Sequence, residues 1–126
     1  MAKSIAFRPT SDVCDDHDDA QIVTERFVSL GGVPHAAGPA STVKAHEDNS
    51  KVKEAVAEPG GGRVLVVDGG GSMRRSMVGG NVAAEAATNG WAAIIVHGAA
   101  RDTVELRETA IAVFALGTVP RKTDKL

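Results

Sequence analysis

Two apolar runs that end in polar residues constrain this chain most. Arg63-Val64-Leu65-Val66-Val67 closes on Asp68-Gly69-Gly70-Gly71-Ser72, and the run from Ala92 to Ala100 closes on Arg101-Asp102. Between them Gly79-Gly80-Asn81 leads into the alanine-rich segment 82–87, bounded by Asn89-Gly90. The order is therefore strand, glycine loop, helix, strand, acid. In open α/β sheets the carboxyl ends of the strands are where ligands bind.

The rest of the chain extends the pattern. Asn49 or Ser50 is placed to cap a helix whose Val52, Ala55 and Val56 share a face and which stops at Pro59-Gly60-Gly61-Gly62. Thr103 to Glu108 reads as a short polar helix, and Ile111 to Leu116 as a third apolar strand ended by Gly117. Upstream, residues 27–30 and 40–45 read as short strands, and Thr10 or Ser11 begins a short acidic helix. Strands alternating with helices from residue 49 onward predict βαβ units and a largely parallel layer. Hydrophobic residues supply 43% of the chain and aromatics only 3%. The core must then be β-branched strands under alanine-rich helices.

At 126 residues the expectation is one domain, 1–126. A net charge of −2 without a basic stripe argues against direct binding of nucleic acid. One cysteine, Cys14, makes no internal disulfide, and no apolar stretch approaches the ~20 residues that span a bilayer. These readings favour a cytoplasmic protein with no membrane partner.

The candidate chemistry gathers at the strand ends. Gly69-Gly70-Gly71-Ser72 reads as a tight strand exit more readily than as a phosphate cradle, since it lacks the lysine spacing of a P-loop. Gly79, Gly80, Asn81 and Val82 open a helix whose free N–H groups and dipole favour a carboxylate or phosphate. Arg101-Asp102 sets a bidentate carboxylate binder beside a hard oxygen ligand for Mg²⁺ or Mn²⁺, with Asp102 otherwise a cap for the helix after it. Asp15-Asp16-His17-Asp18-Asp19 reads as a solvated acidic turn. Cys14, His35, His46 and His97 show no triad or paired-ligand spacing.

Phe7-Arg8-Pro9-Thr10, Cys14-Asp15, Gly31-Gly32, Gly38-Pro39, Thr42-Val43-Lys44, Glu47-Asp48-Asn49, Arg63 to Ser72, Asn89-Gly90-Trp91, His97-Gly98, Arg101-Asp102, Ala115 to Thr118 and Pro120-Arg121-Lys122 together resemble the RraA-like family. That family holds 4-hydroxy-4-methyl-2-oxoglutarate aldolases and the regulator of ribonuclease E activity A. The resemblance implies a layered β/β/α domain of the phosphohistidine-swivelling type. It further implies a divalent-metal-dependent class II pyruvate aldolase with oxaloacetate decarboxylase side activity, assembled as a homotrimer with sites between subunits.

By position it makes Asp102 the metal ligand, Arg101 the arginine that holds the 2-oxo acid substrate, and Gly79 to Val82 the turn that binds pyruvate's oxygens. Arg101 and Asp102 are then the catalytic pair. Family aldolases carry an aspartate where Gly80 stands, and they continue past Pro120-Arg121-Lys122, so this chain resembles a C-terminally shortened member. The other branch of the family implies a non-enzymatic regulator that binds and inhibits ribonuclease E.

Overall fold

The computed structural model describes residues 7–123. They form α1 (Thr10–Asp16), β1 (Val28–Ser29), β2 (Ala40–Lys44), α2 (Ser50–Ala57), β3 (Val64–Asp68), β4 (Ser76–Val78), α3 (Gly80–Thr88), β5 (Ala93–Ala100), α4 (Thr103–Arg107) and β6 (Ala112–Thr118). The strands make one mixed sheet in the order β1-β6-β5-β3-β2, with β4 paired to β5 beyond the end of β3. Only β1 runs antiparallel, against β6. All other pairings are parallel, as strands joined through helices require.

Alternation along the strands divides the core into two faces. Leu65 and Val67 of β3, Ile94 and Val96 of β5, and Val113 and Ala115 of β6 are buried in one cluster with Val52 and Val56 of α2, Val82, Ala83 and Ala86 of α3, and Leu106 of α4. The spacing of Val52 and Val56 by four places both on one stripe of α2. The alanines of α3 let that helix lie close to the sheet. Truncating a fully buried residue such as Ile94 to Ala is expected to cost about 2–5 kcal/mol.

The opposite face is more open. Val64, Ala93 and Ala112 are buried there, but Val33, Val66, Ile95 and Phe114 are only partly covered. The mixed α/β class and its βαβ units are as the sequence implies. Of the β/β/α layers, the described residues supply one sheet and the helices, with β1 and β2 joined to that same sheet.

Two contacts fix the approach to β3. Trp91 donates its indole N–H to the Glu58 carbonyl at 3.0 Å, and the Arg63 guanidinium lies over its ring, 4.5 Å from the centroid. Arg63 also donates to the carbonyls of Gly60 at 2.8 Å and Pro59 at 2.7 Å, closing the turn after α2. A Cβ on Gly60 would stand 2.5 Å from the Trp91 backbone nitrogen and 2.6 Å from its ring Cγ, so only glycine lets the turn pass the tryptophan.

Several expected caps are corrected. Asn49 occupies the cap position of α2 without a side-chain bond to it. Asp48 does that work, accepting from the Ser50 N–H at 2.9 Å and its hydroxyl at 2.6 Å. The Asn49 carboxamide instead accepts from the Thr123 hydroxyl at 3.0 Å, tying the 119–123 segment to α2. α3 starts at Gly80 with Gly79 at its cap position, so Asn81 lies within its first turn.

Candidate active site

The site is built where β5 ends and α3 begins. β5 runs to Ala100, and the Arg101 N–H donates to the Val78 carbonyl at 3.0 Å, which fixes the next residue directly before the helix. Asp102 has a left-handed backbone, φ 60° and ψ 49°, a conformation that aspartate tolerates better than most residues. That backbone turns its side chain away from α4, which it precedes without capping. The carboxylate instead accepts a hydrogen bond from the Gly80 N–H at 2.9 Å.

Asp102 therefore sits against the positive end of α3, where a negative charge is favoured. Gly79 makes the contact possible. Its backbone is extended, φ −127° and ψ −168°, which any residue adopts, so conformation does not demand glycine there. The contact itself favours it, because a Cβ at Gly79 would stand 2.7 Å from Asp102 Oδ2 and the carboxylate would have to turn aside.

Arg101 Nε lies 3.9 Å from Asp102 Oδ2, too far for a hydrogen bond, with both side chains somewhat over one-third exposed. Its Nη1 points toward the Pro120 carbonyl at 3.4 Å. The pair thus leaves much of its hydrogen-bonding capacity open. A cavity of about 80 Å³ adjoins it, lined by Gly79, Asn81, Val82, Arg101 and Asp102 together with Asn49, Lys53, Ser76 and Lys122. Gly79, Gly80, Asn81, Val82, Arg101 and Asp102 are therefore brought into one place.

The remaining sequence candidates go elsewhere. In the triple-glycine loop, the Gly70 N–H donates to Asp68 Oδ1 at 3.0 Å, Gly71 N–H to the His97 carbonyl at 3.0 Å and Ser72 N–H to the Gly69 carbonyl at 3.4 Å. Those donors are spent on the loop itself. It is a strand exit. Asp15 to Asp19 lie exposed at and beyond the end of α1, where Asp16 pairs with Arg8. Among the described residues, no group of three or more His, Cys, Asp or Glu side chains is arranged to hold a metal.

Two features escaped the sequence reading. Glu105, one turn into α4, has its Cβ 3.1 Å and its Cγ 3.5 Å from where a Cβ on Gly80 would lie. A carboxylate-bearing side chain thus starts beside the position at which Gly80 offers none. The spacing of Asp102 and Glu105, three apart across a helix start, was the available signal. The second is a set of arginines from distant segments, Arg74, Arg75 and Arg121, around another cavity. Its trace in the sequence was two basic pairs, Arg74-Arg75 and Arg121-Lys122.

Beside that cavity lies a carboxylate whose contacts gather on one oxygen, Oε2. Glu47, also left-handed with φ 56°, accepts from the Ser72 hydroxyl at 2.9 Å and from Arg74 Nε at 2.9 Å, with Arg74 Nη2 at 2.8 Å and His46 Nε2 at 3.2 Å. The Arg74 hydrogen bond, followed by that from Ser72, holds its carboxyl below the usual value.

A mixed, mostly parallel sheet covered by helices defines an α/β class of protein, and comparison with known proteins identifies it more narrowly. Residues 10–126 match the RraA-like family model, described as Aldolase/RraA; the chain belongs to that family. It is 50% identical over 122 residues to a candidate 4-hydroxy-4-methyl-2-oxoglutarate aldolase of Burkholderia multivorans, covering 92% of this chain and 74% of that protein. Among solved structures it is similar to the RNA-processing inhibitor RraA of Thermus thermophilis, with 42% identity and a TM-score of 0.91 over 95% of this chain and 73% of that one. It is also similar to a Geobacillus kaustophilus protein described as an S-adenosylmethionine:2-dimethylmenaquinone methyltransferase, with 41% identity and a TM-score of 0.89 over 94% and 74% of the two chains.

Proposed function

We propose that this chain carries the site of a cytoplasmic, divalent-metal-dependent class II pyruvate aldolase that cleaves 4-hydroxy-4-methyl-2-oxoglutarate and decarboxylates oxaloacetate, working as a homotrimer. The observation that carries this reading is the Asp102 carboxylate, anchored by a single backbone N–H at the start of α3 with Arg101 beside it. The names of the Burkholderia relatives support it.

The donor set fits a hard cation. Mg²⁺ is bound through one or two carboxylates and keeps several of its waters, so Asp102, with one hydrogen bond from its own chain, suits it without a dedicated cage. When bound, such an ion supplies Lewis-acid polarisation of a 2-oxo acid. The chain's own groups do the rest. Arg101 offers its guanidinium fork to the substrate carboxylate, and the N–H groups of Asn81 and Val82, in the first turn of α3, have no acceptor within the helix and meet developing negative charge. Cleavage of the aldol and loss of CO₂ from oxaloacetate both leave the enolate of pyruvate, so one arrangement serves both substrates.

The second reading is a protein regulator that binds and inhibits ribonuclease E. Gly80, which brings no carboxylate, and the likeness to the Thermus RNA-processing inhibitor favour it. One assay separates the two. Purified protein is incubated with oxaloacetate and Mg²⁺ or Mn²⁺, and pyruvate is measured against a metal-free control. Metal-dependent pyruvate formation supports the lyase; its absence from folded, metal-binding protein favours the regulator.

A further inference from the structure

We propose that the arginine-lined cavity beside the Glu47 cluster is a second ligand site, taking a small organic polyanion on the side of the 119–122 segment away from Asp102. The cavity measures about 500 Å³ and is lined by Glu47, Met73, Arg74, Arg75, Val119 and Arg121. That volume falls within the range of small-molecule sites. It does not merge with the cavity at Asp102, because the chain alternates between them. Arg75 and Arg121 line one cavity and their neighbours Ser76 and Lys122 the other, with Ser76 and Lys122 bridged in parallel and the Ser76 N–H donating to the Arg121 carbonyl at 2.7 Å.

The charge balance selects the sign of the occupant. Three arginines face one glutamate, in a chain whose overall charge is −2. Glu47 is already compensated by Arg74 and Ser72, so its charge adds little repulsion. Among the described residues, Arg121 has no carboxylate partner, and Arg75, half-buried, donates Nη1 to the Lys122 carbonyl at 3.2 Å. Guanidinium forks match carboxylate and phosphate oxygens, whereas Met73 and Val119 give the cavity an apolar wall that a bare inorganic ion would not use. The ligand class is thus a compact carbon body bearing two or more carboxylate or phosphate groups.

The test is calorimetric titration of the metal-free full chain with citrate and, separately, with fructose 1,6-bisphosphate at low ionic strength. One binding event per chain is expected, weakened by added salt. Whichever compound binds more tightly names the source of the anion. Arg121→Gln and Arg75→Gln should each weaken it at least ~10-fold, the scale of one charge-assisted hydrogen bond. Arg101→Gln should leave it within about threefold.

Should an arginine variant fail to fold, the wild-type Met73 methyl resonance keeps the idea testable. It should shift on titration while that of buried Met77 stays put. The proposal is overturned if neither compound binds at millimolar concentration, if Arg101→Gln abolishes binding while Arg121→Gln does not, or if an octaglutamate peptide binds and both small compounds fail.

Discussion

Asp102 and Glu47 are the two non-glycine residues with left-handed backbones among those described, and both lie just past the carboxyl end of a parallel strand. Their surroundings differ. Glu47 is met by Ser72, Arg74 and His46, whereas Asp102 has one backbone N–H and an arginine beyond hydrogen-bond range. A carboxylate with one oxygen clamped by three side chains of its own chain is a fastener. One held by a single bond in a fixed direction keeps its remaining lone pairs for something brought from outside.

The largest effect that would break this contrast is on turnover. Asp102→Ala should lower metal-dependent pyruvate formation by more than ~100-fold, exceeding the usual cost of an outer-sphere partner, while Glu47→Gln should change it by less than about threefold. Equal losses in steady-state rates would erase the distinction. Next is Arg101→Gln, which should reduce kcat/KM by ~10- to 100-fold with most of the change in KM, since a guanidinium–carboxylate contact is lost. A pure kcat effect would move Arg101 from binding to chemistry.

Gly79→Ala sharpens the comparison by steric means. Its Cβ would press on Asp102 Oδ2, and Mn²⁺ affinity measured by titration should fall ~10-fold with the fold retained. Unchanged affinity would show that the carboxylate need not sit against the start of α3. Gly80→Asp is subtler. The backbone at Gly80 is not left-handed, but the Glu105 stem stands 3.1 Å from the new Cβ, so a gain of up to ~10-fold in turnover should appear only when Glu105 is shortened to Ala as well. A gain from Gly80→Asp alone would mean that Glu105 yields freely.

The smallest effect is on the acid limb of stability. The Glu47 carboxyl lies below its ordinary value near 4.5 and that of Asp48 below 3.8, the latter mainly through the Ser50 hydroxyl. For a lowered carboxyl pKa, the stabilisation is present above the unfolded value and is lost as pH falls through the folded one. Glu47→Gln should therefore flatten the decline of Tm below about pH 4.5 and leave the neutral limb parallel to wild type. A steeper acid decline in the variant would reverse the sign and remove Glu47 as a fastener.

How much of this was legible varied with sequence distance. β3 and β5 could be read from their β-branched runs, and the helix between them from its alanines, because each is specified by neighbours in the chain. The pairing of Asp102 with Gly80 follows from topology, since β4, which leads into α3, lies parallel beside the end of β5 and brings the two chain ends to one sheet edge. What Asp102 does there did not follow. Its left-handed backbone decides between capping α4 and reaching α3, and no pattern of residue types encodes that choice. β4 was missed because three residues, Ser76 to Val78, carry no periodicity. The arginine cavity was missed because its parts lie over 40 residues apart and meet only through the bridge at Ser76 and Lys122.

The division of one edge of β5 between two strands has a consequence for divergence. β3 pairs with β5 over residues 93–97 and β4 over residues 99 and 100, so the loop 69–75 leaves and rejoins the same edge. Each end is pinned independently. Residues can be inserted, deleted or exchanged in that loop without sliding either strand, and with them Met73, Arg74 and Arg75, while Gly79, Arg101 and Asp102 keep their positions. Descendants of such a chain can change what they recognise at one cavity at a rate set by a surface loop and preserve the neighbouring chemistry at the slower rate of a sheet.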